Sequence, residues 1–231
     1  MKRLMYTVYL LLFVVIANAQ QKFPTEGAYL AKADGINHLW LFVDGYSSYI
    51  TYEDQKYLNT WGGPYAGNDK DLIIKIEYNE KEPATVGTEQ RINAKVAKEG
   101  FSWKNLNFKK LKAGEQDLDG LWRITGRMNE GKMSTITRGD RKTIKILVAG
   151  YFQWIAINPA EKGFYGTGGG TYTFKDKKYT ENIVFFSRDN SRVGAKLVFD
   201  GEIKDGAWHH SGLSSKGDPI HEIWSVDSVK K

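Results

Sequence analysis

The chain of 231 residues contains no cysteine. That absence excludes a disulfide framework, a thiolate nucleophile, an iron–sulfur cluster, a thiolate zinc site and a lipidated N-terminal cysteine. Histidine is scarce, at four residues, so any chemistry falls to carboxylates, hydroxyls and imidazoles. Beyond residue 19 no stretch has the length and periodicity of an amphipathic helix. The N-terminal apolar run, Leu4 to Ile16, is about 13 residues, short of the about 20 that cross a bilayer. With 26% charged and 41% apolar residues, the composition is that of an ordinary folded globular protein.

Lys2 and Arg3, the apolar run and Ala17-Asn18-Ala19 together read as a removable leader, residues 1–19, cleaved after Ala19. The expectation is an exported protein, periplasmic or extracellular, with no lipid anchor and no membrane span in its mature form. Losing Lys2 and Arg3 takes the formal charge from +6 to +4. Lys and Arg are interspersed with Asp and Glu along the rest of the chain, which reads as a solvated surface and not as a nucleic-acid stripe.

The chain repeats itself. Leu39-Trp40-Leu41-Phe42-Val43-Asp44-Gly45-Tyr46 matches Ile144-Lys145-Ile146-Leu147-Val148-Ala149-Gly150-Tyr151 in alternation and in its Gly-Tyr turn. Gly62-Gly63-Pro64-Tyr65 matches Gly169-Gly170-Thr171-Tyr172, Val86-Gly87 matches Val193-Gly194, and Gly27-Ala28-Tyr29 corresponds to Gly120-Leu121-Trp122, all in the same order. Two homologous units are expected, 20–113 and 114–231, joined near Lys112 to Asp117, with extra residues from Asn129 to Arg141 in the second. Both are written in period two, as in Ile144, Ile146 and Val148 or Tyr179, Glu181, Ile183 and Phe185. Turn signals such as Asp44-Gly45, Asp205-Gly206 and Lys216-Gly217-Asp218 recur at short spacing. The fold class read from this is all-β: two tandem antiparallel barrels of seven to nine strands. A sandwich, or one larger barrel shared by both units, is the alternative.

Gly120-Leu121-Trp122 resembles the G-x-W signature of lipocalin-like proteins, in which the Trp closes one barrel end. Tyr151-Phe152-Gln153-Trp154, Gly169-Gly170-Thr171-Tyr172-Thr173, Tyr179-Thr180-Glu181, Trp208-His209-His210-Ser211-Gly212 and Glu222-Ile223-Trp224 are similar to a lipocalin-like domain family of unknown function from exported bacterial proteins. The resemblance covers almost all of the second unit. It implies a calycin-type barrel and, by analogy, small-molecule binding, but brings no established catalytic residues. The first unit departs from it, with Tyr29 in place of the Trp and no histidine pair after Trp103.

His209, His210 and His221 fall within the last two strands. One hairpin register sets His210 opposite His221 and His209 opposite Glu222; a one-residue slip sets His210 opposite Glu222. A carboxylate on an imidazole fixes its tautomer and raises its basicity, as general acid–base work needs. His210, His209, Glu222 and Glu181 are therefore the catalytic candidates if the protein is an enzyme, and rim or core histidines satisfied by backbone are the plain alternative. Two strand histidines supply too few ligands for a metal, and no metal or cofactor is expected. Glu181 shares a face with Tyr179, Ile183 and Phe185; pointing inward it would need a partner such as Arg188, Lys196, a histidine or a ligand cation.

Aromatics make up 13% of residues. Most are expected as core; the binding alternative groups Phe152, Trp154, Tyr172 and Trp208 with Glu181, His210 and His221 around a small apolar or amphipathic ligand. Gly166-Thr167-Gly168-Gly169-Gly170 lies between strands with no following helix, so it is a strand bend and not a phosphate loop. Ser211 and Ser214 lack a nucleophile elbow, which argues against a Ser-His-Asp triad. Three classes of function follow: a ligand-binding protein, a lyase, isomerase or hydrolase using a His–carboxylate pair, and an envelope module that docks a protein or glycan.

Overall fold

The computed structural model describes residues 26–67 and 71–227; the leader at 1–19 lies outside the described residues. The first sheet contains β1 (Gly27–Ala33), β2 (Ile36–Val43), β3 (Tyr46–Glu53), β4 (Lys56–Gly67), β5 (Leu72–Lys75), β6 (Tyr78–Asn79), β7 (Glu89–Ile92), β8 (Lys95–Ala97), β9 (Gly100–Trp103) and β10 (Leu106–Lys110). The second contains β11 (Gly120–Asn129), β12 (Lys132–Thr135), β13 (Lys142–Val148), β14 (Tyr151–Asn158), β15 (Gly163–Lys175), β16 (Lys178–Phe186), β17 (Lys196–Lys204), β18 (Ala207–Leu213) and β19 (Pro219–Val226). Helical structure among the described residues is limited to 3-10 turns at Pro83–Thr85, Pro159–Glu161 and Asn190–Arg192. The hairpins turn where positive φ is tolerated: Asp44 and Gly45 at 49° and 75°, Ala149 and Gly150 at 51° and 73°. Two such residues in succession make the type I′ turn whose twist matches the strands it joins.

The second sheet is a closed antiparallel barrel. Its eight strands run β11-β13-β14-β15-β16-β17-β18-β19, β19 returns to β11, and β12 extends β11 as a hairpin. Closure removes every free edge from the ring. The first sheet curls into a half-barrel whose terminal strands are β7 and β8. These are consecutive in the chain, separated by Asn93 and Ala94, with Ala94 N donating to Ile92 O. The corresponding strand of the second unit, β17, is unbroken and pairs with both neighbours, β16 and β18. The interruption at Asn93-Ala94 lets β7 pair with β5 and β8 with β9, so the two ends of the curl are linked by chain and not by a ladder. Two separate sheets, one of them a ring, set aside the sandwich and the single shared barrel.

Alternation decides which residues join the units. Leu39, Leu41 and Val43 point outward from the first unit and Ile144, Ile146 and Val148 outward from the second, and they meet in one buried apolar cluster. The cluster is built from matched positions: Ile50 with Ile155, Tyr78 with Phe185, Ala28 with Leu121. Such self-complementarity is what an isologous dimer interface shows, here inside one chain. At its centre the matched residues Ser48 and Gln153 hydrogen-bond at 2.5 Å. Gln153 Nε2 also donates to Thr60 and Thr167 at 3.1 and 3.0 Å, and Tyr78 donates to Ser48 at 2.6 Å. This buried polar network is satisfied on both sides of the interface, as its burial requires.

The inward faces differ between units. The first interior is filled by aromatic rings, with Trp40 against Trp61 at 5.2 Å and against Trp103 at 5.8 Å between centroids. The second is filled at one end by Trp122, Phe152, Tyr179 and Trp208, all buried, and opens at the other. Trp122 of the G-x-W stretch packs edge-on to Trp208 and donates its Nε1 to Leu118 O at 2.9 Å.

Candidate functional site

The open end of the barrel holds a cavity of about 560 Å³, the size of a small-molecule site. Trp154, Ile183, Phe186, Leu197 and Phe199 make its apolar wall, and Lys145, Glu181, His210 and Glu222 lie on it as a buried polar cluster. Each comes from a different strand, β13, β16, β18 and β19, and each is inward by strand alternation. Lys145 Nζ and Glu181 Oε1 are 3.0 Å apart, with side chains only 4% and 6% exposed. The ammonium also lies 5.0 to 5.1 Å from the ring centroids of Tyr179, Trp208 and Trp224, within cation–π range. Glu222 accepts from Arg127 at 2.7 Å and from Trp224 Nε1 at 3.2 Å. His210 faces Glu222 directly across the β18–β19 ladder, with Nδ1 3.5 Å from Oε2. That is ion-pair distance but beyond a formed hydrogen bond, and neither ring nitrogen has a hydrogen-bond partner in the protein. Leaving a buried donor and acceptor unmet costs about 1 to 3 kcal/mol each, so His210 is a position held against stability.

Of the residues singled out by sequence, the structure brings Glu181, His210, Glu222 and Trp154 together on this cavity. The β18–β19 register is the slipped alternative, His210 with Glu222 and Ser211 with His221. Phe152 and Trp208 are fully buried beneath, their rings 6.0 and 5.1 Å from the Lys145 ammonium. They form the floor that holds Lys145 and do not line the opening. Tyr172 lies deeper, its hydroxyl donating to Asp119, where it ties the connecting segment to the barrel. His209 and His221 alternate to the outer face, half-buried, with rings 6.1 Å apart. One residue along a strand is one change of face, so neither reaches the cavity. The partner of Glu181 is Lys145, not Arg188, Lys196 or a histidine. Lys145 and Arg127 were passed over in the sequence; the signal available for Lys145 was a single charge inside Ile144-Lys145-Ile146-Leu147-Val148.

The duplication supplies an internal control. Trp40 occupies the position of Lys145 relative to the matched Gly-Tyr turns, and Ile74 that of Glu181 relative to the matched Gly-Gly pairs. Trp103 and His210 stand equally far beyond the matched Val-Gly pairs, and their cross-strand partners are Leu106 and Glu222. The four charged or titratable positions of the second barrel are thus all apolar in the first. Trp61, which plugs the first interior, is replaced by Gly168, where an added Cβ would meet Trp154 Nε1 at 2.7 Å and Phe186 at 2.8 Å. The first unit has a depression of about 510 Å³ at its own mouth, floored by Tyr49, Trp61 and Trp103, and among the described residues no buried ion pair lies beneath it. The fold therefore does not demand the charged cluster; the second unit carries it in addition.

Burial and the neighbouring Lys145 lower the pKa of His210, outweighing Glu222 and Glu181, so the ring is neutral near pH 7. Burial pushes the Glu222 carboxyl up, but His210, Lys145 and Arg127 together outweigh it and hold it at about 2. Burial, with the charge of Glu181 beside it, keeps the Tyr179 phenol well above its ordinary value. Both shifts of the His210–Glu222 pair act in one direction. A histidine favoured neutral in the fold contributes fully above its unfolded pKa of about 6.5 and loses stability as pH falls below it. A carboxylate held low contributes above its usual pKa of about 4.5 and is lost as pH falls toward 2. Stability should accordingly drop as pH falls from 7 to 5, with His210 contributing to the slope. Urea unfolding at pH 7.5, 6 and 5 should show that slope reduced in His210→Phe; equal slopes in both proteins would remove His210 as its origin.

No family model matches the chain, and no curated protein matches it. The architecture, a closed eight-stranded antiparallel barrel beside a half-barrel, is compatible with lipocalin-like folds. Among the described residues no helix is long and apolar enough to cross a membrane, and no three His, Asp or Glu side chains are grouped to hold a metal ion.

Proposed function

We propose that the protein is an exported ligand-binding protein whose second unit, residues 114–231, takes a small amphipathic molecule into its barrel, with the first unit as a supporting half. The observation that carries this reading is the contrast between units. The two mouths are of similar size, about 510 and 560 Å³, but positions held by Trp40, Ile74, Trp103 and Leu106 in the first unit become Lys145, Glu181, His210 and Glu222 in the second. Burying four such groups costs free energy that an apolar core avoids, and a ligand that uses them is the simplest reason to keep them. The leader at residues 1–19 supports export. N-Phenyl-1-naphthylamine, an uncharged fluorescent probe, should bind saturably to the mature chain. Filling the cavity with Ala156→Trp should abolish that signal while the unfolding midpoint is held. Non-saturable binding, or binding unchanged in the filled variant, would count against the barrel as the site.

A second reading is favoured by one observation. His210, neutral and 3.5 Å from Glu222, has the form of a general base with an orienting carboxylate, as a lyase, isomerase or hydrolase would use. If a turnover is found, His210→Ala and Glu222→Gln should each abolish it; retained rates in both would remove them from catalysis.

A further inference from the structure

We propose that the mouth of the first unit is a second binding site, one for a neutral saccharide, which sets its C–H surface against Trp103 and its hydroxyls against the amides and carboxylates of the surrounding wall. The site lies in the other unit from the barrel cavity, and its occupancy does not depend on what that cavity holds. The two mouths correspond position by position. Trp61 pairs with Asn79 as Gly168 pairs with Phe186 in the second unit. Ile74 pairs with Gln90 as Glu181 pairs with Leu197, and Trp40 with Tyr49 as Lys145 with Trp154. At the second mouth Phe186 and Leu197 make an apolar wall above a polar floor; at the first, Asn79 and Gln90 make a polar wall above the rings of Trp61 and Trp103. The cavity keeps its size, about 510 against 560 Å³, while its polarity is inverted, so the two mouths suit different ligands.

A sugar ring presents two kinds of surface, a patch of C–H groups and a rim of hydroxyls that both donate and accept. Trp103 answers the first. It is half-buried on the lining and held in place by Tyr49, perpendicular to it at 5.7 Å, and by Trp61 at 6.4 Å. Asn59, Asn79, Gln90, Asp34 and Glu82 on the same lining answer the second, since an amide offers donors and an acceptor and a carboxylate offers acceptors. The charges present disfavour an ion. Asp34 and Glu82, both exposed, oppose an anion, and Lys104, its ammonium 4.7 Å over the Trp103 ring, opposes a cation there. His38, its pKa lowered by burial, is neutral near pH 7, with Nδ1 2.6 Å from the Tyr49 hydroxyl. An alkyl chain would strip water from the amides and return no hydrogen bond, which costs free energy.

Calorimetric titration of the full mature chain at pH 7.5 with maltotetraose, cellotetraose, mannotetraose and tetra-N-acetylchitotetraose, and with tetramethylammonium as a cation that seeks aromatic faces, tests this. At least one of the four saccharides should give a saturable heat with one site per chain, and tetramethylammonium should bind more weakly. Trp103→Ala should weaken that saccharide at least tenfold. Gln90→Leu, which places on an exposed position the residue found there in the second unit, should weaken it at least threefold with the unfolding midpoint unchanged, and decides the matter if Trp103→Ala does not fold. Ala156→Trp, which fills the second barrel, should leave saccharide affinity as it was. No saturable heat from any of the four, a tighter tetramethylammonium, an affinity that survives Gln90→Leu, or one lost in Ala156→Trp overturns the proposal. None of these results bears on the barrel as a ligand site, which the naphthylamine titration tests by itself.

Discussion

Lys145→Met should lower the unfolding free energy by about 3 to 5 kcal/mol, because it leaves the Glu181 carboxylate, 6% exposed, without its counter-charge. Glu181→Leu should cost less, since the ammonium it abandons keeps three aromatic faces at 5.0 to 5.1 Å, a contact worth up to about 2 kcal/mol when desolvated. The double variant should return to within about 1.5 kcal/mol of the parent or exceed it, as apolar replacements of buried ion pairs commonly do. The first unit already embodies that solution with Trp40 and Ile74 at the same places. Urea unfolding of the four proteins gives the coupling directly. Additive losses in the double variant would mean that the pair supports the barrel and is not an addition to it.

Gly170→Ala should be more damaging, by more than about 4 kcal/mol, and should leave little folded protein. A Cβ at Gly170 would overlap the carbonyl oxygen of Asn182 and come within 2.8 Å of Val184 N, so backbone and not a movable side chain stands in the way. The strand shifts register between Gly169 and Gly170 against β16, the kind of bulge that bends a strand and tightens its twist. Gly63 of the first unit meets the Lys75 carbonyl in the same manner, and Gly63→Ala should behave alike. Circular dichroism melts of both variants check this. Melting temperatures within a few degrees of the parent would show that the bend can relax and that the repeated pair of glycines is not what curls these sheets.

Much of the architecture was legible because it follows from local chemistry. The Gly-Tyr turns, the Gly-Gly bends and period-two writing specify hairpins and faces without reference to distant residues, and the duplication doubles each signal. What was not legible depends on contacts that sequence does not print. Leu39, Leu41 and Val43 alternate with Trp40 and Phe42 in an unbroken apolar run, because both faces of β2 are buried, one in the interior and one against the other unit. Nothing local marks which face is which, so Lys145, on the inward side of a strand whose outward side is also apolar, was passed over. Glu181 stood out for the opposite reason, a charge on one face with Tyr179 and Ile183; Phe185, expected on that face, is turned outward into the cluster between the units by the bulge at Val184. The histidines were found as a group, but the hairpin register decides their roles, and one residue separates His210 inside from His209 outside. The split of one strand into β7 and β8 at Asn93-Ala94 carries no proline or glycine to announce it.

The central claim is that the second barrel carries a ligand seat its fold does not need. Its most direct measurement is a graft of apolar residues onto the four positions, Lys145→Met, Glu181→Ile, His210→Phe and Glu222→Leu in one chain, compared with the parent for urea stability and for N-phenyl-1-naphthylamine affinity. The account predicts a folded protein at least as stable as the parent, with its affinity for the probe changed at least tenfold. A chain that no longer folds, or one that keeps the parent's affinity, would contradict it.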